Sequence, residues 1–355
     1  MGLLVLTCTL ASAQIAWQTT STLPQPVRNG FLVHYEGYVY LIGGRPSGET
    51  STTHAIDTVY YAPVNTDGSL GTWQATTSLP GNRCAHGAYA YDGTMYVWGG
   101  WDETYVTHNE CYYATINGDG TLGAWTTSAV TIPDGAGQPQ MDAFGQGVLG
   151  YENHIYIIGG ERNDASKTDA CYHCDIQSSG DYGTWQTTAT MPFVDWFHGV
   201  AVHEGTAEAY LYLVGGNHSG TTESQIYIST INTDGSLGAW ADSGFNLAQG
   251  TYELGCATIN NFIFAVGGLS GATPLDNVGM LRVDSDTGAV TLAFETTAMP
   301  EARARTTAVC YTVNDHDYIL VAGGGGYGAA DPVLDSCIYS EIPRPSSVDD
   351  WSLYE

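Results

Sequence analysis

The sequence predicts an all-β fold, a six-bladed β-propeller of four-stranded blades whose ring is closed by an N-terminal outer strand. Three recurring features predict it. Gly-Gly pairs stand at Gly43-Gly44, Gly99-Gly100, Gly159-Gly160, Gly215-Gly216, Gly267-Gly268 and Gly323-Gly324, at intervals of 56, 60, 56, 52 and 56 residues. Each pair ends an apolar run such as Tyr40-Leu41-Ile42, Tyr96-Val97-Trp98 or Tyr156-Ile157-Ile158. A tryptophan recurs at Trp17, Trp73, Trp125, Trp185 and Trp240, with Phe294 in the sixth place, and a turn of the kind Asp67-Gly68-Ser69-Leu70-Gly71 precedes four of these positions. Self-similar units of short strands at regular spacing imply radial blades around a channel.

Within a unit, Ala88-Tyr89-Ala90-Tyr91 reads as the first strand and Asp92-Gly93 as a two-residue hairpin turn. Met95 to Trp98 is the second strand, and a polar loop leads to the third, Cys111 to Ile116. Asn117-Gly118-Asp119-Gly120 turns the chain into a fourth strand carrying Trp125. The last unit has its third strand at Cys337 to Ile342, then Pro343, and no fourth strand. Ala16-Trp17-Gln18-Thr19-Thr20 matches Thr72-Trp73-Gln74-Ala75-Thr76 and precedes the first unit. Residues 15–20 are therefore expected to be the outer strand of the sixth blade, protecting an otherwise open sheet edge.

With these features the chain resembles the kelch family of β-propellers over about residues 15–342. The six Gly-Gly pairs after apolar strands, the later Tyr60, Tyr112, Tyr172 and Tyr227, and the tryptophan beyond them carry the resemblance. The Asp-Gly-Ser-Leu-Gly hairpin lengthens the usual Tyr-to-Trp spacing, and blade five has Leu281 and Phe294 at the marker positions. The resemblance implies that two loop sets share one face, where ligands bind. It leaves function open, since such propellers serve as enzymes, lectin-like binders and protein-recognition modules.

Composition narrows the partners. Among 355 residues, 37 acidic and 9 basic side chains give a net charge of −28. Nucleic acid and anionic lipid are excluded, because phosphate binding needs clustered cations. The apolar run Leu3 to Leu10 followed by Ala11-Ser12-Ala13 reads as an export signal over residues 1–13, too short to span a membrane. The expectation is a secreted, periplasmic or cell-surface protein without membrane insertion, its propeller over residues 14–342 and a tail at 343–355. Seven cysteines follow the signal, an odd number that forces no disulfide pairing. Cys111, Cys171 and Cys337 occupy a column filled elsewhere by Val59, Ile226 and Met280 and are expected to be buried. Cys256 and Cys310 match each other on inner strands. Cys171 and Cys174 lie three apart in a strand, face opposite sides and cannot share one chelate site.

The first loop set starts at Arg45, Trp101, Glu161, Asn217, Leu269 and Gly325; the second holds Arg28, Arg83, Asp142, Trp196, Tyr252, Arg303 and Arg305. The loops contain Arg28, Arg45, Arg83, Arg162, Lys167, Arg303 and Arg305, most of the few cations in the chain. Such guanidinium groups either hold a carboxylate or sulfate ligand or pin neighbouring loops. Trp101, Trp196, Phe197 and Tyr327 are expected to be exposed and able to stack on sugar rings. The expected ligand-binding set is Arg45, Trp101, Glu161, Arg162, Asn217, Arg83, Trp196, Arg303 and Arg305.

Glu49 to His54 and Glu103 to His108 share a Glu-Thr-x-x-Thr-His pattern, but a copied repeat produces that likeness without a metal. No cofactor or metal is expected. Asp195 and His198 could do acid–base work, yet no nucleophile accompanies them and no catalytic residue is assigned. Asp67, Asp119 and Asp234 fall on the opposite face as turn formers, where calcium has little support. The functional expectation is an extracellular module binding a glycan or a protein through its loop face. The rival is an enzyme on acidic sugars, a sialic acid epimerase or mutarotase in kind.

Overall fold

A computed structural model describes residues 15–46, 55–104, 106–133, 139–140, 147–162, 167–326 and 332–343, with backbone alone for 139–140 and 161–162. The export segment, the Glu49 to His54 motif, Asp142, Tyr327 and the tail from residue 344 lie outside the described residues, as do the side chains of Glu161 and Arg162. Among the described residues, no helix is long and apolar enough to cross a membrane.

The described residues form six antiparallel blades of four strands, a to d, and Pro139–Gln140 adds a short further strand beside strand b of blade three. Blade one comprises Phe31–Tyr35, Tyr38–Ile42, Val59–Pro63 and Gln74–Ala75. Blade two comprises Gly87–Tyr91, Thr94–Trp98, Glu110–Thr115 and Thr126–Thr131. Blade three comprises Val148–Tyr151, His154–Arg162, Lys167–Asp175 and Gln186–Thr188. Blade four comprises Gly199–Glu204, Ala209–His218, Thr221–Ile231 and Ala241–Asn246. Blade five comprises Gly255–Ile259, Phe262–Val266, Val278–Val283 and Val290–Glu295. Blade six takes Thr307–Val313, His316–Ala322 and Cys337–Ile342 from the C-terminal end and Gln18–Thr19 from the N-terminal end. Gln18 pairs with Tyr339 and Thr19 with Ile338, so the closing strand sits where the repeat pattern places it.

The core is divided among the interfaces between blades. In blade one, Tyr40 and Ile42 pack toward Met95 and Val97 of blade two, while Val39 and Leu41 pack toward Leu320 and Ala322 of blade six. Both faces of a b strand are thus buried, which explains its unbroken apolar run. Cys111 and Cys174 share the interface of blades two and three, whereas Cys171 faces blade four. Among the described residues, the seven cysteines from Cys84 to Cys337 form no disulfide with one another.

The recurring tryptophans fasten blade to blade. The indole N–H of Trp17 donates to Thr297 O at 3.1 Å, that of Trp73 to Ser21 O at 3.0 Å, that of Trp125 to Thr77 O at 3.0 Å and that of Trp240 to Ala189 O at 3.3 Å. The Gly-Gly pairs have an equally local cause. Both residues of every pair have positive φ, for example 60° and 97° at Gly267 and Gly268. The second glycine donates its N–H to the link that enters the next blade, Gly268 to Arg303 O at 2.9 Å and Gly44 to Arg83 O at 2.8 Å. A Cβ on Gly267 would lie 2.1 Å from Arg303 O, so no other residue fits.

Candidate functional site at the loop-face mouth

After each of five Gly-Gly pairs the next residue meets the link that enters its own blade, and the two segments pair as isolated bridges: Arg45 with Arg28, Trp101 with Cys84, Asn217 with Trp196, Leu269 with Tyr252 and Gly325 with Ala304. One residue further along the link, the chain enters the left-handed region at Asn29, Ala85, Phe197, Glu253 and Arg305, with φ between 53° and 62°. These residues bond blade to blade through the backbone: Ala85 N to Asn29 O at 2.9 Å, Asn29 N to Arg305 O at 3.1 Å, Arg305 N to Glu253 O at 3.1 Å and Glu253 N to Phe197 O at 2.8 Å. The result is a belt around the mouth of the channel. Five non-glycine residues in this conformation cost about 1–2 kcal/mol each, and the belt's hydrogen bonds offset that cost. Next to it the a strands of all six blades line an axial cavity of about 330 Å³, walled by Phe31, Val33, Tyr89, Val148, Cys256 and Cys310 among others.

The expected binding residues separate into three groups around this mouth. On blades one and two, Arg45 is 2% exposed and its guanidinium lies 4.8 Å from the Trp101 ring centroid. Trp101 is 3% exposed, which corrects the expectation that it stands free for stacking. Its bridge to Cys84 draws the indole between the two loops. Arg28 donates to Gly326 O at 3.1 Å, and Arg83 donates to Tyr112 Oη at 2.8 Å and Glu110 Oε2 at 3.2 Å. Glu110 and Asp102 in turn hold His108, at 3.1 Å from its Nδ1 and 3.0 Å from its Nε2.

Between blades five and six, Arg303 is fully buried and donates to Gly323 O, Ser336 O and Ser336 Oγ at 3.1, 3.2 and 3.0 Å. Arg305 forks onto buried Glu253, at 2.9 Å to Oε2 and 3.4 Å to Oε1. Arg28, Arg45, Arg83, Arg303 and Arg305 are therefore all engaged within the protein. Arg45 is a buried group and not an exposed loop charge, and its removal will lower stability as well as alter the mouth.

The third group lies on blades three to five. Trp196 and Phe197 are half-buried. Their ring centroids are 6.2 Å apart, Phe197 is 5.7 Å from Tyr252, and the Lys167 ammonium sits 4.7 Å over the Trp196 ring. Asn217 pairs with Trp196 through the backbone and accepts from Gly220 N through its Oδ1 at 2.9 Å. Glu161 and Arg162 extend the same region through backbone pairing with Gln140 and Pro139.

Asp195 and His198 lie beneath the mouth, 0% and 1% exposed. His198 Nε2 donates to Ile158 O at 3.1 Å, and its Nδ1 faces Asp195 Oδ2 at 3.8 Å. Burial pushes the Asp195 carboxyl up to about 8 and the His198 imidazole down to about 4, so both are neutral at pH 7. Burial, then the charge of Arg83, holds His86 at about 3, and burial holds channel-facing His34 at about 4. The histidines have folded values below 6.5, so their contribution to stability is complete above pH 6.5 and is lost as pH falls toward 4. Asp195 acts oppositely, and its contribution is lost as pH rises from 3.8 through 8. Three histidines outweigh one aspartate below pH 6.5, and Asp195 acts alone above it. The melting temperature should therefore peak near pH 6.5. Its acid limb should amount to several kcal/mol, since each tenfold change in proton affinity between folded and unfolded chain corresponds to about 1.4 kcal/mol. Asp195→Asn should flatten the decline between pH 6.5 and 8 and leave the acid limb. An alkaline limb unchanged in that variant would show that Asp195 is ionised in the fold.

On the opposite face, Asp67, Asp119 and Asp234 accept from the backbone N–H and hydroxyl two residues on, as turn formers do. One group there is not foreseen from sequence. His154, His173 and Asp175 lie together on blade three. The His-x-Asp spacing is visible in the chain, but the strand register that adds His154 is not.

No protein-family model matches the chain, and no curated protein matches it. Among solved structures, that of YjhT is similar, with a TM-score of 0.65 and 15% identity over 90% of this chain and 96% of that one. The likeness extends the six-bladed propeller to a solved structure and speaks to fold alone.

Proposed function

We propose that the protein is an extracellular binding module that takes carbohydrate on its loop face, through the half-buried aromatic surface of Trp196 and Phe197, backed by the buried Tyr252, without chemistry on the ligand. The observation that carries this reading is the half-buried Trp196–Phe197 pair beside Tyr252, held on a rigid scaffold with Lys167 against one ring. Phe197 is held at φ 62°, a conformation rare for a bulky residue, as part of the belt. Aromatic faces of this kind stack on the C–H surface of a sugar ring.

Charge refines the ligand class. A protein of net charge −28 repels an acidic sugar unless free cations face it, and the five mouth arginines whose side chains are described are engaged internally. Neutral glycans are therefore favoured over the carboxylated ones suggested by the number of arginines. The enzyme alternative loses support on the same grounds. Asp195 and His198 are sealed from solvent, and both nitrogens of His108 face carboxylates of its own loop.

A glycan array that includes neutral and sialylated oligosaccharides tests the proposal. Neutral glycans should be retained, and Trp196→Ala should weaken their binding by about 10-fold or more, the scale of one lost stacking contact. Binding untouched by Trp196→Ala and Phe197→Ala would contradict it.

A further inference from the structure

Strands b and c of blade three bring three metal-ligating side chains to one face. His154 stands directly opposite Asp175, and Tyr156 opposite His173. Residues two apart in a strand share a face, so His173 and Asp175 lie on the same side as His154. One ligand atom from each of the three falls within 4.8 Å of the others. His154 Nδ1 is 2.9 Å from Asp175 Oδ1, and His173 Nδ1 is 4.0 Å from the same oxygen, beyond hydrogen-bond reach. The His173 side chain is 4% exposed, and its Nδ1 has no hydrogen-bond partner. A buried imidazole nitrogen aimed at a carboxylate too far to bond is a costly arrangement unless something lies between them.

The other blades supply an internal comparison. The same three positions are Tyr38, Tyr61 and Pro63 in blade one and Thr94, Tyr113 and Thr115 in blade two, none of them a usual metal ligand. Packing alone is thus met by tyrosine or threonine, and the two imidazoles with a carboxylate are not repeated in those blades. The neighbouring blade leaves room for them. Gly235, in the turn after Asp234, has φ 78°, and a Cβ there would come within 2.4 Å of His154 Nδ1. Tyr156 Oη donates to Gly235 O at 2.9 Å and holds that turn over the group.

We propose that His154, His173 and Asp175 form a binding site for a divalent transition-metal ion of the Zn²⁺ class. Two neutral imidazoles and one carboxylate suit Zn²⁺, Co²⁺ or Ni²⁺ better than Ca²⁺ or Mg²⁺, which prefer all-oxygen shells. Asp175 is 38% exposed, so three protein ligands leave a coordination position toward solvent. The site lies on the turn face, away from the aromatic mouth, and does not depend on the glycan reading.

The test titrates chelator-stripped protein with Co²⁺ and then Zn²⁺, reading stoichiometry by calorimetry and the cobalt visible spectrum. One ion per chain should bind, with cobalt bands displaced by Zn²⁺ and persisting in excess Ca²⁺. His173→Tyr installs the residue of blades one and two and should keep the fold, and His173→Gln is a second variant of smaller volume. Each should weaken binding by about 100-fold or more, since it removes a direct ligand. His316→Gln, which removes an exposed histidine beside Glu341, should leave binding unchanged. Absence of stoichiometric binding, displacement of the ion by Ca²⁺, or wild-type affinity in both His173 variants would overturn the proposal.

Discussion

A chain shortened to begin at Thr22 will lose cooperative folding of the sixth blade, the largest effect expected of any change described for this protein. The missing segment supplies the d strand of that blade through the pairs Gln18–Tyr339 and Thr19–Ile338. It also buries Ile15 between blades five and six and inserts Trp17 there, with its indole donating to Thr297 O. The same few residues reach blade one: Leu70 N donates to Thr20 Oγ1 at 2.7 Å, Ser21 Oγ to Leu70 O at 3.0 Å and Trp73 Nε1 to Ser21 O at 3.0 Å. Burial of Ile15 contributes about 2 kcal/mol, loss of the half-buried Trp17 costs a part of the about 3–5 kcal/mol of a fully buried aromatic, and each hydrogen bond contributes about 1 kcal/mol. Their sum is comparable with the whole stability of an ordinary domain, about 5–15 kcal/mol. The milder Trp17→Ala should lower the melting temperature while leaving a folded ring. Thermal unfolding followed by near-ultraviolet circular dichroism decides it, and a truncated chain that melts like the parent would refute the closure.

Arg303→Ala is expected to destabilise the protein by about 3–5 kcal/mol, because it removes a buried charged donor from three hydrogen bonds, each worth about 1.5–3 kcal/mol and not fully additive. The Arg303 backbone is already fixed, its N–H donating to Leu275 O and its carbonyl accepting from Gly268 N. The guanidinium alone ties Gly323 and Ser336 across the mouth of blade six. Truncation leaves two carbonyls and a hydroxyl without that donor. Arg303→Lys should recover part of the loss, because a single ammonium cannot serve all three acceptors. Glycan binding should be unaffected in molecules that remain folded. The reverse outcome, full stability with binding lost, would return Arg303 to the ligand.

The architecture was legible in the sequence because its causes repeat. A Gly-Gly pair is required wherever positive φ coincides with the approach of the next link, and six such places imply six blades. The recurrence of Trp17 and Trp73 was readable for the same reason, whereas their indole bonds between blades needed the structure. The mouth was less legible because its belt is a property of the backbone. Asn29, Ala85, Phe197, Glu253 and Arg305 share a conformation and a bonding pattern but no side-chain chemistry. Trp101 was misjudged because the residue after Gly-Gly pairs with the incoming link, and in blade two that pairing encloses the indole. The arginines were correctly placed in the loops, yet whether a guanidinium meets a ligand or a carbonyl depends on loop geometry that spacing does not carry. The group on blade three needed register: His173 and Asp175 declare a shared face, and His154 joins them only through the pairing of strand b.

Saturation-transfer NMR on a neutral oligosaccharide retained by the array, recorded with the wild-type protein and with Trp196→Ala, tests the aromatic binding face most directly. Transfer to the C–H protons of one sugar face is expected, with its loss in Trp196→Ala and with anomers that interconvert at the rate of the buffer alone. Transfer that survives in the variant, or anomer exchange accelerated by the protein, would contradict binding without chemistry at this face.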